Sequence, residues 1–288
     1  MFEDSNVSNN NPQKEKAQLF HRLHHTGKML VLPNIWDPLG AILLESLNYP
    51  AAATASAAIA FANGYNDGEK IPFNELLALL KKIANSVSIP VTADVESGYA
   101  DDNVQLQENI KLLIYAGIIG INIEDSDKKA NTLFPIEIQC ERIRLIRKVS
   151  DAIGVPLFIN ARTDVYLRGD FSTAVLKFDE MIKRGLAYKE AGADCFFPIA
   201  LRQKEDIQSA VTELNMPINI LTIPGIPDLK TLSSMGVARV SLGPSLLKIA
   251  IKEMKKLALE LKDYRGLSAI TENEITSDYL KNLVNKNY

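Results

Sequence analysis

The chain is poor in the side chains that most often carry covalent or acid–base chemistry. It has two cysteines, three histidines and one tryptophan in 288 residues. Cys140 and Cys195 fit no metal spacing and no disulfide framework, so reduced, buried thiols in a cytoplasmic protein are expected. His21, His24 and His25 all fall in the first helical stretch, before any strand-like run. A solvated helix face is expected for them, which excludes a Ser-His-Asp set or a histidine base at a strand end. No apolar run approaches the roughly 20 residues that span a bilayer. The polar opening MFEDSNVSNNNPQKEK lacks the apolar core of a signal peptide. Neither sign of charge dominates: 32 Lys+Arg stand against 35 Asp+Glu, a net charge of -3. That balance excludes a surface built for nucleic acid or for an anionic membrane. The Gly-rich turns GxGxxG and GxxxxGK[ST] are missing as well, which argues against an open nucleotide-binding sheet.

What is present is a series. Short apolar runs begin at Met29, Ala51, Pro90, Gly117, Pro156, Ala193, Ile218 and Ala238, each rich in Val, Ile, Ala or Phe. They lack clean alternation, as strands buried on both faces should. Amphipathic stretches lie between them: 74–86, 103–116, 136–153, 172–191 and 204–214. Glycines in AGI, AGAD and MGVAR mark helix ends just before strands. Eight alternating units in one series predict an α/β protein with a (β/α)8 TIM barrel over residues 15–265. A flexible arm is expected over residues 1–14, and a helical extension over residues 266–288 that could cover the barrel or reach a partner subunit.

In such a barrel the reactive groups stand at the C-terminal ends of the strands. The first run ends in LPNIWDP, where Trp36 is a candidate substrate contact. The third ends in TADVESGYA, the fourth in NIEDSDKK and the fifth in NARTDVY. Three neighbouring strand ends therefore present acids and the next an arginine. Carboxylates crowded at one mouth need neutralising, and a hard divalent cation, Mg²⁺ or Mn²⁺, would do it. Asp94 and Glu96, two apart on an extended chain, should face the same way, with Glu124 as the third acid. The alternative is a rim of salt bridges. Arg162 is placed to fork a substrate carboxylate or phosphate, or else to pair with Asp164 or Glu124. No lysine closes a strand, which argues against Schiff-base chemistry. Metal-assisted stabilisation of an enolate remains.

LPNIWDPLGA, TASAAIAFANGYND, PVTADVESGY, GINIED, INARTDVYLRG and GVARVSLGP together resemble the isocitrate lyase / phosphoenolpyruvate mutase superfamily, in order from about Met29 to Lys262. The resemblance implies a barrel whose last helix is exchanged between subunits, in a homodimer or homotetramer. It implies Mg²⁺ and a small 2-oxo or 2-hydroxy acid. It also implies a lyase that makes or breaks a C–C bond beside an enolate, with P–C bond chemistry as the alternative. By motif position it implies Asp94, Glu96 and Glu124 around the metal and Arg162 on the substrate carboxylate. Asp67 would be the acid after the second strand, and the backbone at Ala55 and Ser56 the substrate-gripping loop. The chain departs from the lyase branch after the fourth strand. The loop SDKKANTLFPIE has neither the cysteine nor the histidine of that branch. Lys129-Ala130-Asn131-Thr132 is similar to the mutase branch's Lys-x-Asn-Ser, one residue out of step. Tyr99, Lys128 and Lys129 are then the candidate proton donors. A protein that binds 2-oxo acids without turning them over is a third expectation.

Overall fold

The computed structural model describes residues 11–168 and 171–285. Eleven strands are found among them. In chain order they are β1 (Leu30–Leu32), β2 (Asn34–Ile35), β3 (Ala52–Thr54), β4 (Val91–Asp94), β5 (Gly120–Glu124), β6 (Ser126–Asp127), β7 (Thr132–Leu133), β8 (Phe158–Thr163), β9 (Cys195–Pro198), β10 (Asn219–Leu221) and β11 (Arg239–Ser241). All but β6 and β7 are parallel. One sheet runs β2-β3-β4-β5-β8-β9 and another β1-β11-β10. A parallel bridge from Phe196 to Ile218 joins β9 to the start of β10. At the other edge β1 and β2 are one path interrupted at Pro33, which has no N–H to give to a ladder. The pairing thus runs around a ring of eight strand positions, each one of the apolar runs read from the sequence. In-register pairs such as Glu124 with Arg162 and Leu32 with Ser241 bring the strand ends level at one mouth.

The strands are apolar because both faces are covered. Ile121, Ile123, Phe158, Ile159 and Val240 are fully buried. The outer helices are amphipathic. Phe73–Asn85 buries Leu76, Leu80 and Ile83, and Ile136–Ile153 buries Ile143 and Ile146. The latter stops at Gly154, whose φ of 79° is the left-handed cap before β8. The helix Ser245–Lys262 is different. It buries no residue and leaves Ile249, Ile251, Met254, Leu259 and Leu261 exposed. After it come helices Leu267–Thr271 and Ser277–Asn285, the latter burying Leu283. No helix is long and apolar enough to cross a membrane, among the described residues.

Two sequence expectations change at the N-terminal side. Of the arm expected over residues 1–14, residues 1–10 lie outside the described residues, but Pro12 already opens a helix, Pro12–Leu23. Asn11 caps it by accepting from Gln13 N at 3.1 Å, and the Gln13 amide donates to the backbone carbonyls of Ile114 and Ile118. The histidines are not a solvated face either. His24 is buried, stacked on Phe158 with ring centroids 4.2 Å apart, and its Nδ1 bonds to Phe20 O at 2.9 Å. His21 bonds to Pro156 O, and only His25 is exposed. The helix is docked under the barrel, which its own periodicity could not reveal.

Burial, and then the nearby Arg239, pushes His24 down to about 3. The unfolded chain, with an ordinary imidazole near 6.5, therefore binds more protons than the folded one between those values. Stability is present above the unfolded pKa and is lost as pH falls toward the folded one. Between pH 7 and pH 5 the expected loss from this group is about 2 kcal/mol. Urea unfolding across that range should show it, and His24→Phe should flatten the dependence. A slope unchanged in the variant would contradict the assignment.

Candidate active site

Each strand end at the mouth delivers its side chain through a local contact. Asp94 closes β4. Its N–H donates to Thr54 Oγ1 at 3.1 Å, and its carboxylate accepts from the Ser56 hydroxyl at 2.9 Å. Ser56 opens the helix Ser56–Ala62, with Ala55 as its N-cap. The acid and the expected substrate-gripping loop are thereby tied together.

Glu96 reaches the mouth by a different route from the one expected. The strand ends at Asp94, and Glu96 sits at φ 50°, so the side chain is not aimed by an extended i, i+2 pair. Glu69 and Tyr99 also have positive φ, at 60° and 54°. Such positions cost of order 1–3 kcal/mol each in non-glycine residues and persist only where surroundings over-determine them. Here they do. The Glu69 carboxylate accepts from Ser97 N (2.9 Å), Ser97 Oγ (2.6 Å) and Tyr99 N (3.0 Å). The Glu69 N–H donates to Glu96 Oε1 at 2.8 Å, and Arg142 donates to Ser97 O. Gly98, at φ 95°, completes the turn where a Cβ would lie 2.7 Å from Leu106 Cδ1. Glu69 was not singled out in the sequence. It lies two residues after Asp67 in NDGEK, away from any strand end.

At the end of β5, Glu124 is 1% exposed and faces two cations. Arg162 Nη1 lies 2.9 Å from Oε2, and the Lys128 ammonium contacts Oε1. The same ammonium lies 3.1 Å from Glu96 Oε2. Arg162 also forks Asp164, with Nε at 2.6 Å and Nη2 at 3.1 Å. Both rim pairings considered for Arg162 are therefore made. Tyr99 donates its hydroxyl to Glu96 Oε1 at 3.4 Å. Lys128 and Lys129 part company: Lys129 is exposed and pairs with Asp101 at 2.8 Å, away from this cluster. The short hairpin of β6 and β7 does this, pinned at its start by Ser126 Oγ donating to Asp164 at 2.6 Å.

The electrostatics follow from burial. Desolvation pushes Glu96 up to about 7 against the pull of Lys128, and Glu124 up to about 8 against Arg162 and Lys128. Burial alone would lower Lys128 and Arg162, but the facing carboxylates outweigh it and hold both cations charged. Burial raises the Tyr99 hydroxyl, and the Glu96 charge adds to it. Cys140 and Cys195 are buried, and burial pushes Cys195 up to about 12, so neither is a ready nucleophile.

Two adjoining cavities open here, of about 460 and 420 Å³, and they share Ser56, Asp67, Arg162 and Leu167. The first is lined by Glu96, Glu124, Lys128, Asn131 and Arg168; the second has Asp94 with Phe197, Ile199 and Leu221 on its apolar side. Asp67 is exposed at the shared wall. Trp36 lines neither; it packs half-buried against the core. Arg168 and Asn131, bonded to each other, were not singled out as site residues.

Among the described residues, no three His, Cys, Asp or Glu side chains are grouped to hold a metal ion. Glu96 and Glu124 converge instead on one cation, the Lys128 ammonium, with Asp94 turned to Ser56. The donors on these acids are all oxygen, the chemistry that suits Mg²⁺ or Mn²⁺.

A family profile described as phosphoenolpyruvate phosphomutase matches residues 20–262. A Mycobacterium tuberculosis protein of uncharacterised function is 32% identical over 225 residues, 78% of this chain and 81% of that one. Oxaloacetate decarboxylase of Pseudomonas fluorescens is 26% identical over 270 residues, 90% of each chain. A solved structure from Burkholderia cenocepacia, described as a candidate phosphonomutase, is 34% identical with a TM-score of 0.81, covering 85% of this chain and 98% of that one.

Proposed function

The chain belongs to the phosphoenolpyruvate phosphomutase family, within the isocitrate lyase superfamily of enzymes, and on that footing we propose that it cleaves or forms a C–C bond next to the enolate of a small 2-oxo acid. The observation that carries this reading is the convergence of Glu96 and Glu124 on a single cation, with Arg162 beside it, at the C-terminal mouth. Asp94, Glu96 and Glu124 would hold Mg²⁺, mostly through water. Bound there, the metal supplies electrophilic stabilisation of negative charge on the substrate's oxygens. Arg162 offers the planar fork that fits a carboxylate. Ser56 holds Asp94 in place. Phe197, Ile199 and Leu221 give the cavity an apolar side that excludes water from a basic carbanion. Lys128 carries the proton nearest the cluster, and Tyr99 the next; Lys129 points elsewhere.

The missing loop cysteine and histidine favour one kind of cleavage. A 2-hydroxy acid needs a base to take its hydroxyl proton before the bond breaks. A 2-oxo diacid whose second carboxylate is β to the carbonyl can lose it as CO₂ with no such base, needing only a sink for charge and a later proton. The near-complete overlap with an oxaloacetate decarboxylase supports that class. The second reading is P–C chemistry on a phosphonate, favoured by the 34% identical candidate phosphonomutase and by Asn131 on the cavity wall.

The test is incubation with oxaloacetate, 2-oxoglutarate and phosphonopyruvate, with and without Mg²⁺, followed by ¹³C and ³¹P NMR. Metal-dependent release of CO₂ from oxaloacetate is expected, with no new phosphorus signal from phosphonopyruvate. Asp94→Ala should weaken metal-dependent pyruvate binding by about 10–100-fold. Intact metal-dependent binding in that variant would defeat the site assignment. The unburied apolar face of Ser245–Lys262 supports exchange of this helix with a second copy, in a homodimer or homotetramer.

A further inference from the structure

We infer that Lys128 is a tethered cation occupying the seat a divalent ion would take, so that Lys128 and the metal exclude one another and a 2-oxo acid favours the exchange. The inference rests on the metal reading above and goes beyond it.

Three observations carry it. The Lys128 Nζ contacts both Glu96 and Glu124, which are 2% and 1% exposed. No other Lys or Arg forms an ion pair with Glu96 among the described residues. Among the described residues, the Glu124 carboxylate has no hydrogen-bond partner beyond its ion pairs to Lys128 and Arg162. An ion inserted among these carboxylates would place its charge against an ammonium already in contact with them, in surroundings that screen little. The hairpin is also built to deliver Lys128. Ser126 bonds to Asp164, Asp127 caps the turn by accepting from Lys129 N and Ala130 N at 3.0 Å each, and Asn131 accepts from Arg168.

Charge then sets the order of events. Replacing one ammonium by a divalent ion raises the charge of the seat by one. A substrate bearing one bound carboxylate lowers it by one. Metal plus monoanion for Lys128 is therefore neutral, while metal alone is not. Metal should bind weakly by itself and more tightly with a 2-oxo acid present.

The experiment is Mn²⁺ binding by the loss of the free-ion EPR signal, with and without pyruvate, on the full chain. Wild type should bind Mn²⁺ weakly and tighten at least tenfold with pyruvate. Lys128→Met should bind Mn²⁺ at least tenfold tighter than wild type without pyruvate and lose most of that coupling. Lys128→Arg should behave as wild type. Lys128→Gln repeats the test with a side chain that still donates to one carboxylate, in case Lys128→Met does not fold. Equal Mn²⁺ affinity in wild type and the neutral variants would overturn this inference and leave the metal reading standing. No Mn²⁺ binding in any of them would overturn both.

Discussion

Arg162→Met is expected to lower turnover and stability together. The guanidinium serves two buried acids at once, Glu124 at 2.9 Å and Asp164 at 2.6 and 3.1 Å. Each acid is 1% exposed. Removing one partner of a buried ion pair costs about 3–5 kcal/mol, because a charge is left without compensation. Two features soften the cost here. Glu124 keeps Lys128, and Asp164 keeps the Ser126 hydroxyl at 2.6 Å and Arg168 at 3.7 Å. The lower end, about 3 kcal/mol, is expected, which is roughly 5 °C in melting temperature for a chain of this size. Loss of a preorganised charge donor lowers the rate by about 10²–10³. Arg162→Lys separates the two effects. It keeps a charge between the acids but loses the fork, so melting should recover in part while KM stays high. A melting curve and turnover that both match wild type in Arg162→Met would remove Arg162 from the site.

The fold was largely legible in the sequence because a buried parallel strand is written as a short apolar run, and eight of these occur in series. The helix over residues 136–153 falls where periodicity puts it. What could not be read were placements made by tertiary contacts. The burial of His24 depends on Phe158, which is 134 residues away in the chain. The site was legible in kind but not in arrangement. Asp94, Glu124 and Arg162 stand at strand ends because strand ends are where a barrel puts reactive groups. Glu96 looked like the second tooth of an extended pair, yet a left-handed turn supported by Glu69 aims it. No glycine or asparagine at position 96 signalled that turn. Lys128 and Lys129 are equivalent in sequence. Two strands of two residues each, far too short for a periodicity to register, turn one inward and the other out.

Arg184→Met should be nearly as damaging as Arg162→Met, although Arg184 lines neither cavity. Asp125 is fully buried and accepts from Thr163 Oγ1 (2.7 Å), Asp164 N (2.9 Å), Arg184 Nη1 (3.0 Å) and Tyr188 OH (2.7 Å). Burial raises the Asp125 carboxyl, and Arg184 is the largest force opposing that. Without the guanidinium, the aspartate must either stay charged in the core or take up a proton, and both routes cost; about 3–5 kcal/mol is expected. The damage should also travel to the site. Arg184 Nη1 donates to Phe134 O at 3.0 Å, and Phe134 N donates to Asp125 O at 2.7 Å. Asp125 and Phe134 flank the hairpin that carries Lys128, so the pair closes its base. Loosening it should free Lys128 from Glu96 and Glu124 as well as lower the melting temperature. A double-mutant cycle of Arg184→Met with Asp125→Asn, followed by urea unfolding, isolates the pair. Because the neutral asparagine removes the uncompensated charge, the double variant should be more stable than the sum of the single losses predicts, by at least about 1 kcal/mol. Strict additivity would mean that the two side chains stabilise the barrel independently. Their contact would then not be what holds the Lys128 hairpin in place.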